Sequence, residues 1–149
     1  MAHASVFIGA DHRGVKLKAE LIAWLKQQGF DPKDLGTNSE ERCDALDFAS
    51  TMAKQFKANA DQYGVLICGS GHAMVMTANR YRHVRAIMGL NADLARWGRE
   101  HNDANVIVFA ADFMDSATAQ ECLKVFLETK FLGGRYAERR DRLTELGGL

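Results

Sequence analysis

Short apolar runs alternate along this chain with longer stretches of helical periodicity. Val6, Phe7 and Ile8 carry a strand over Ser5 to Ala10, and Asp11, His12, Arg13 and Gly14 follow as a turn. From Val15 to Gln28 the apolar positions Leu17, Leu21, Ile22 and Leu25 share one helical face, with Lys16, Lys18, Glu20 and Lys26 placed mostly outside it. Gly29 stands where a helix commonly ends. Phe30 to Leu35 is a weak strand whose Pro32 assigns it to a sheet edge. After the polar loop Gly36 to Arg42, Asp44 to Ala58 reads as a helix with Leu46, Ala49, Met52, Ala53 and Phe56 as its buried stripe.

Val65, Leu66 and Ile67 form the core of a third strand, which Cys68 ends. Gly69, Ser70 and Gly71 make a tight loop, and Ala73 to Asn79 is helical. A fourth strand is expected over Val84 to Met88. A short helix then spans Ala92 to Glu100, with the polar run His101, Asn102, Asp103 behind it. Val106 to Phe109 build a fifth strand over Asn105 to Ala110. Ser116 to Thr129 is a long helix capped by Asp115 or Ser116. Gly133 and Gly134 break the chain before a charged last helix, Arg135 to Glu145.

Strands apolar on both faces, alternating with helices, specify a parallel sheet covered on both sides: an α/β, doubly wound architecture in one domain over residues 1–149. Ligands of such sheets lie outside the carboxyl ends of the strands. That edge gathers Asp11 and His12, Cys68 to Gly71, and the end of the fifth strand. His101 and Asn102 precede the fifth strand, so within one chain they fall at the opposite edge. Either a tilted helix or a second subunit must bring them to Cys68.

Composition narrows the class. Apolar residues are 47% and charged residues 26%, with 19 basic and 19 acidic side chains and no net charge. That argues against a general nucleic-acid surface while leaving a local anion pocket open. Three scattered cysteines without a C-x-x-C argue against a disulfide scaffold or structural zinc and fit a reducing compartment. No run reaches the ~18 apolar residues of a membrane span, and the start of the chain lacks a basic leader, so the expected location is the cytoplasm.

Several residues offer chemistry, each beside a plainer reading. Cys68, next to loop amides that favour an anion, serves as a nucleophile, a general base, or a small buried strand end. Gly69-Ser70-Gly71 is an oxyanion loop or merely a turn that needs glycine. It is no dinucleotide fingerprint, because Met74 stands at the third glycine position, and no G-K-[ST] follows. His101, flanked by Glu100 and Asp103, is an acid–base group or a surface histidine at a helix end. Asp11 and His12 are an acid–base and sugar-binding pair, or a helix cap with a neighbouring ring. Cys68 and His72, four apart, lack further ligands at metal spacing. Arg135 and Arg139, one helical turn apart, form a phosphate clamp or part of a solvated face.

Five ordered motifs make the pattern more specific: G-A-D-H-R-G (Gly9 to Gly14), L-G-T (Leu35 to Thr37), I-C-G-S-G (Ile67 to Gly71), R-E-H-N-D-A-N (Arg99 to Asn105) and G-G-R-Y-A-E-R (Gly133 to Arg139). Collinear over nearly the whole chain, they resemble the ribose-5-phosphate isomerase B family, which includes the galactose-6-phosphate isomerase subunits. The resemblance implies a Rossmann-like three-layer sandwich with a five-stranded parallel sheet and a C-terminal helix docked on a partner subunit. It implies an aldose–ketose isomerase of phosphorylated sugars, active as a homodimer or tetramer with its site between subunits, and needing no metal or nucleotide cofactor. By the same resemblance Cys68 is the base and the loop of Gly69, Ser70, Gly71, His72 and Ala73 holds a cis-enediolate. His101 with Asp11 opens the sugar ring, Asn102 binds substrate or stabilises the intermediate, and His12, Arg135 and Arg139 serve the phosphate.

The chain departs from that family at four places. Asp44-Ala45-Leu46 lacks the usual tyrosine, Ala73 replaces a loop glycine, Asp112 takes the place of an arginine after the fifth strand, and Tyr136 replaces a histidine. These changes spare the proton-transfer groups and alter those that grip the sugar. They leave open an altered sugar preference, or a sugar-phosphate-binding protein without catalysis.

Overall fold

The structure, a computed structural model, describes residues 5–57 and 61–149. Five strands, β1 (Ser5–Ala10), β2 (Pro32–Asp34), β3 (Gln62–Cys68), β4 (Ala86–Met88) and β5 (Val106–Ala110), form one sheet in the order β2-β1-β3-β5-β4. Every pairing is parallel. The helices are α1 (Val15–Gln27), α2 (Ala45–Gln55), α3 (His72–Ala78), α4 (Ala92–Asn102), α5 (Ser116–Glu128) and α6 (Arg135–Leu146), and a single 3-10 turn, His12–Gly14, leads into α1.

Alternation along each strand splits the core in two. Val6, Ile8, Ala10, Val65, Ile67, Ile107 and Phe109 face one layer, where α1, α4 and α5 pack with Leu21, Leu25, Ala95, Leu123 and Phe126. Phe7, Leu66, Cys68, Val106 and Val108 face the other, where α2 and α3 supply Ala49, Met52, Ala53 and Met74. This is the expected three-layer α/β sandwich. Pro32 opens β2 at the sheet edge, where a missing N–H costs nothing.

Side-chain capping fixes several helix starts. Asp44, Asn91 and Asp115 each accept an N–H of the first turn of α2, α4 and α5, so Asp115 rather than Ser116 is the cap of α5. Gly29, at φ 88°, lies just beyond the C-cap of α1. The expected stretch of α2 to Ala58 ends at Gln55, and Ala58 lies outside the described residues.

Three expectations need correction. Leu46 is not part of the buried stripe of α2 but 47% exposed, since its position in the first turn turns away from the sheet. Lys18 is not on a solvated face: it is 1% exposed, and its ammonium bonds Asp34 and Asn38 at 2.7 Å each. The run His101, Asn102 is not a loop behind α4 but its last turn, closed by Asp103 in the left-handed conformation at φ 49°.

The chain beyond α5 folds back over the amino-terminal edge of the sheet. Leu132 N–H donates to the Glu100 carbonyl, and Leu149 exchanges backbone bonds of 2.9 Å with Arg80 and Arg82. Helix α6 buries none of its own residues, and Leu143 and Leu146 on it are exposed. No helix among the described residues is long and apolar enough to cross a membrane.

Candidate active site

The sheet order reverses between β1 and β3: β1 leads outward to β2, whereas β3 lies on its other side. The helices that follow these two strands, α1 and α3, pack on opposite faces. A crevice therefore opens at their carboxyl ends, the place where ligands bind in such sheets. Asp11 and Cys68 stand at its two sides. The Asp11 N–H donates to the Ile67 carbonyl at 3.1 Å, carrying the β1–β3 ladder one residue past the strand. The loop Leu35 to Thr37 closes the far side of Asp11: Ala10 donates to Gly36 O, and Thr37 donates to Ala10 O, both at 2.7 Å.

Asp11 is buried and accepts the Arg13 N–H at 3.0 Å, which caps the turn into α1. His12 next to it is half-buried. Its Nδ1 accepts the Cys43 N–H at 3.3 Å, and because an amide can only donate, Nδ1 is unprotonated and the ring proton sits on Nε2. Cys43 is thus the neighbour that orients His12, its sulfur 4.0 Å from the same nitrogen.

Cys68 is 4% exposed, at the end of β3. Its Sγ accepts the Gly71 N–H at 3.2 Å. Gly71 adopts φ 82°, and a Cβ there would stand 2.6 Å from the Met88 methyl, so both conformation and space demand glycine. Ser70 Oγ accepts the His72 N–H at 3.4 Å, and His72 is exposed while Ala73 packs, partly buried, against the core layer that contains Cys68. The ladder also runs past β5: Ala111 donates to Cys68 O at 2.9 Å and Asp112 to Gly69 O at 3.1 Å. Asp112 in turn pairs with Arg13 through its side chain. The four groups Asp11, His12, Cys68 and the glycine loop therefore converge as the topology predicts. Among the described residues no cluster of metal-ligating side chains forms, at Cys68 and His72 or elsewhere.

His101, Asn102, Arg135 and Arg139 lie at the other edge. Register sets the separation: β3 and β5 pair from Gly64–Val106 at the amino edge to Cys68–Ala110 at the carboxyl edge, four residues of strand or roughly 13 Å. The tilted-helix alternative fails, because α4 ends at that amino edge. The imidazole of His101 stacks with Trp97 and with Tyr136, with centroid distances of 6.4 and 4.6 Å. The Tyr136 hydroxyl accepts a bond from Arg135 at 3.0 Å, and Arg139 approaches the same ring.

Asp103 does not partner His101, as its place in the sequence had indicated. Its carboxylate meets Arg99 and Arg140 at 3.0 Å each and Arg85 at 3.5 Å. Arg99 is buried and also donates to Ala104 O, Thr129 O and the Tyr63 hydroxyl. Burial lowers the Arg85 pKa, against the opposing pull of Asp103 and with the added repulsion of Arg140 and Arg99. The hydrogen bond to Asp103 raises that of Arg140. This hub ties α4, which carries His101 and Asn102, to α6, which carries Arg135 and Arg139. Sequence reasoning missed it; the signal was the Arg99/Asp103 spacing of one helical turn within a motif whose other polar residues looked functional. A cavity of about 700 Å³ opens beside the hub, lined by Tyr63, His83, Arg85 and Arg140 among others, and it does not reach Cys68.

The fold and the crevice define an α/β protein with an acid, a thiol and a glycine loop at a topological switch point. Residues 6–143 match the model of the ribose/galactose isomerase family. The chain is 32% identical to ribose-5-phosphate isomerase B of Escherichia coli over 141 residues, 95% of each chain. It superposes on ribose 5-phosphate isomerase B from Thermotoga maritima with a TM-score of 0.92 and 35% identity, covering 97% of this chain and 99% of that one. The Mycoplasma genitalium enzyme with bound ribulose-5-phosphate aligns with a TM-score of 0.91 and 32% identity, over 97% of this chain and 96% of that one. The chain belongs to the ribose/galactose isomerase family: it is an isomerase.

Proposed function

We propose that this protein interconverts an aldose phosphate and its ketose, with ribose 5-phosphate and ribulose 5-phosphate as the pair, and that Cys68 is the base. One observation carries this reading: a buried cysteine with a loop amide on its sulfur stands across the β1–β3 crevice from a buried aspartate, in a chain that aligns along its length with an enzyme holding ribulose-5-phosphate.

The reaction balances as an internal proton shift. The Cys68 thiolate takes the C2 proton of the open-chain aldose, the enediolate forms, and the proton returns to C1 while one proton moves from the C2 oxygen to the C1 oxygen. No external oxidant enters. The loop of Gly69, Ser70, Gly71, His72 and Ala73 would hold the enediolate, where negative charge develops, through amides other than those of Gly71 and His72, which bond the Cys68 sulfur and the Ser70 hydroxyl. Asp11 and His101 open the ring, Asn102 holds a sugar oxygen, and His12 offers its Nε2–H to the phosphate with Arg135 and Arg139. Since His101, Asn102 and the two arginines lie at the far edge of their own sheet, a second copy of the chain supplies them. The exposed face of α6 is then the docking element.

Incubation with ribose 5-phosphate in D2O, followed by proton NMR, tests this reading. Aldose–ketose interconversion with deuterium entering at C1 and C2, abolished by Cys68→Ala, supports it. A protein that binds the sugar phosphate without any exchange would be a binding protein on the same scaffold.

A further inference from the structure

The carboxyl-edge crevice contains an ion pair that the mechanism above does not use. Arg13 and Asp112 are 99 positions apart in sequence, yet the Arg13 Nε donates to Asp112 Oδ2 at 2.7 Å and a second guanidinium nitrogen meets the same oxygen. The pair lies directly over the loop beside Cys68: a Cβ on Gly69 would stand 2.8 Å from both Arg13 Nε and Asp112 Oδ2. Backbone bonds fix both ends, with Asp112 N–H on Gly69 O and Arg13 N–H on the buried Asp11. Both Arg13 contacts fall on Oδ2, so Oδ1 has no hydrogen bond among the described residues.

We propose that Asp112 is a specificity-determining residue of this site: it holds Arg13 as half of a donor–acceptor pair that takes a sugar hydroxyl, and it withholds that guanidinium from phosphate. The proposal rests on the isomerase reading above, since it concerns what the substrate presents beyond Gly69. A free guanidinium beside the loop would suit a phosphate dianion, because its fork of N–H groups matches phosphate oxygens. With Asp112 bonded to it, the pair is neutral, and the carboxylate repels a dianion at close range. A hydroxyl suits the pair on both sides. It accepts from Arg13 and donates to the open Oδ1. Side-chain exposures of 56% and 36% keep the pair reachable from solvent, and make it weak enough that its replacement leaves folding intact.

Asp112→Asn keeps the shape and removes the charge. The dissociation constant of inorganic phosphate, measured by calorimetry, should fall by about three- to tenfold in Asp112→Asn. That gain should vanish in the Arg13→Gln, Asp112→Asn double variant, because the freed guanidinium is its source. In steady state, kcat/KM for unphosphorylated ribose relative to ribose 5-phosphate should drop in Asp112→Asn. Unchanged phosphate affinity in the single variant, or a gain that survives loss of Arg13, overturns the proposal. Turnover is a separate arm. If the unaltered protein fails to isomerise ribose 5-phosphate while Asp112→Asn still gains phosphate affinity through Arg13, the substrate assignment falls and the role of Asp112 stands.

Discussion

The phenol ring of Tyr136 lies over the imidazole of His101, with ring centroids 4.6 Å apart and planes 18° apart, although the residues belong to different helices. Trp97 lies on the same imidazole from one turn earlier in α4, at 6.4 Å and 17°. The stack gives a half-exposed histidine one fixed orientation. Its outer ring, Tyr136, also engages Arg135.

Tyr136→Ala should therefore lower kcat by about two- to tenfold, the equivalent of the 0.5–1.5 kcal/mol of an aromatic pair. Tyr136→Phe keeps the ring and loses only the hydroxyl contact, so it should retain kcat and raise KM if Arg135 grips the phosphate. Steady-state kinetics of the two variants separate the roles. Equal kcat in Tyr136→Ala and the unaltered protein would show that the stack does not position His101.

Asp103→Ala should cost about 3 kcal/mol of unfolding free energy, the loss expected when one partner of a largely buried charge cluster is removed. Arg99 stays behind in the core with only its carbonyl and Tyr63 bonds, and Arg140 loses its hold on α4. Asp103→Asn tolerates the left-handed backbone and accepts hydrogen bonds, so it should lose less. Urea denaturation with an unchanged m-value distinguishes this from a change in compactness.

The strands were legible because their alternation is real on both faces: Val65 and Ile67 serve one layer, Leu66 and Cys68 the other. The carboxyl-edge site was legible for the same reason, since strand order alone brings Asp11 beside Ile67. The amino-edge site was half legible. Its position opposite Cys68 follows from topology, and the one-turn spacing of Arg99 and Asp103 hints at their pairing, but nothing in the sequence brings the distant Arg85 and Arg140 to the same carboxylate. Lys18 and Asp34 were hidden for a similar reason. A lysine on a helix reads as solvated until the neighbouring edge strand arrives with a carboxylate.

That pair makes stability pH-dependent. Burial pushes the Asp34 carboxyl up, but the Lys18 ammonium and the Gly36 amide outweigh it and hold its pKa below the ordinary 3.8. The folded state thus binds fewer protons than the unfolded chain in acid. The contribution is complete above that ordinary value and is lost as pH falls through the folded value. Lys18→Met should flatten this acid limb in thermal melts between neutral pH and about pH 3. At neutral pH it should cost about 2 kcal/mol, less than the roughly 3–5 of a fully buried pair, because the Asp34 side chain is 34% exposed. A Lys18→Met protein with an undiminished acid limb would mean that the Gly36 amide alone holds Asp34 ionised.

The two-edge distribution of site residues predicts complementation between inactive variants. Cys68→Ala removes the proposed base at the carboxyl edge, and His101→Ala removes the proposed ring-opening group at the amino edge. Each should lose activity by about a hundredfold to ten-thousandfold, the range spanned by a positioned acid–base group. If every site joins the carboxyl edge of one chain to the amino edge of its partner, a mixed dimer holds one site with both residues intact and one with neither. Random reassembly makes about half of the dimers mixed, and half of their sites work, so co-refolding should restore about a quarter of the unaltered activity. No recovery in a mixture shown to contain mixed dimers would mean that both groups act within a single chain, against the roughly 13 Å that the β3–β5 register sets between the two edges.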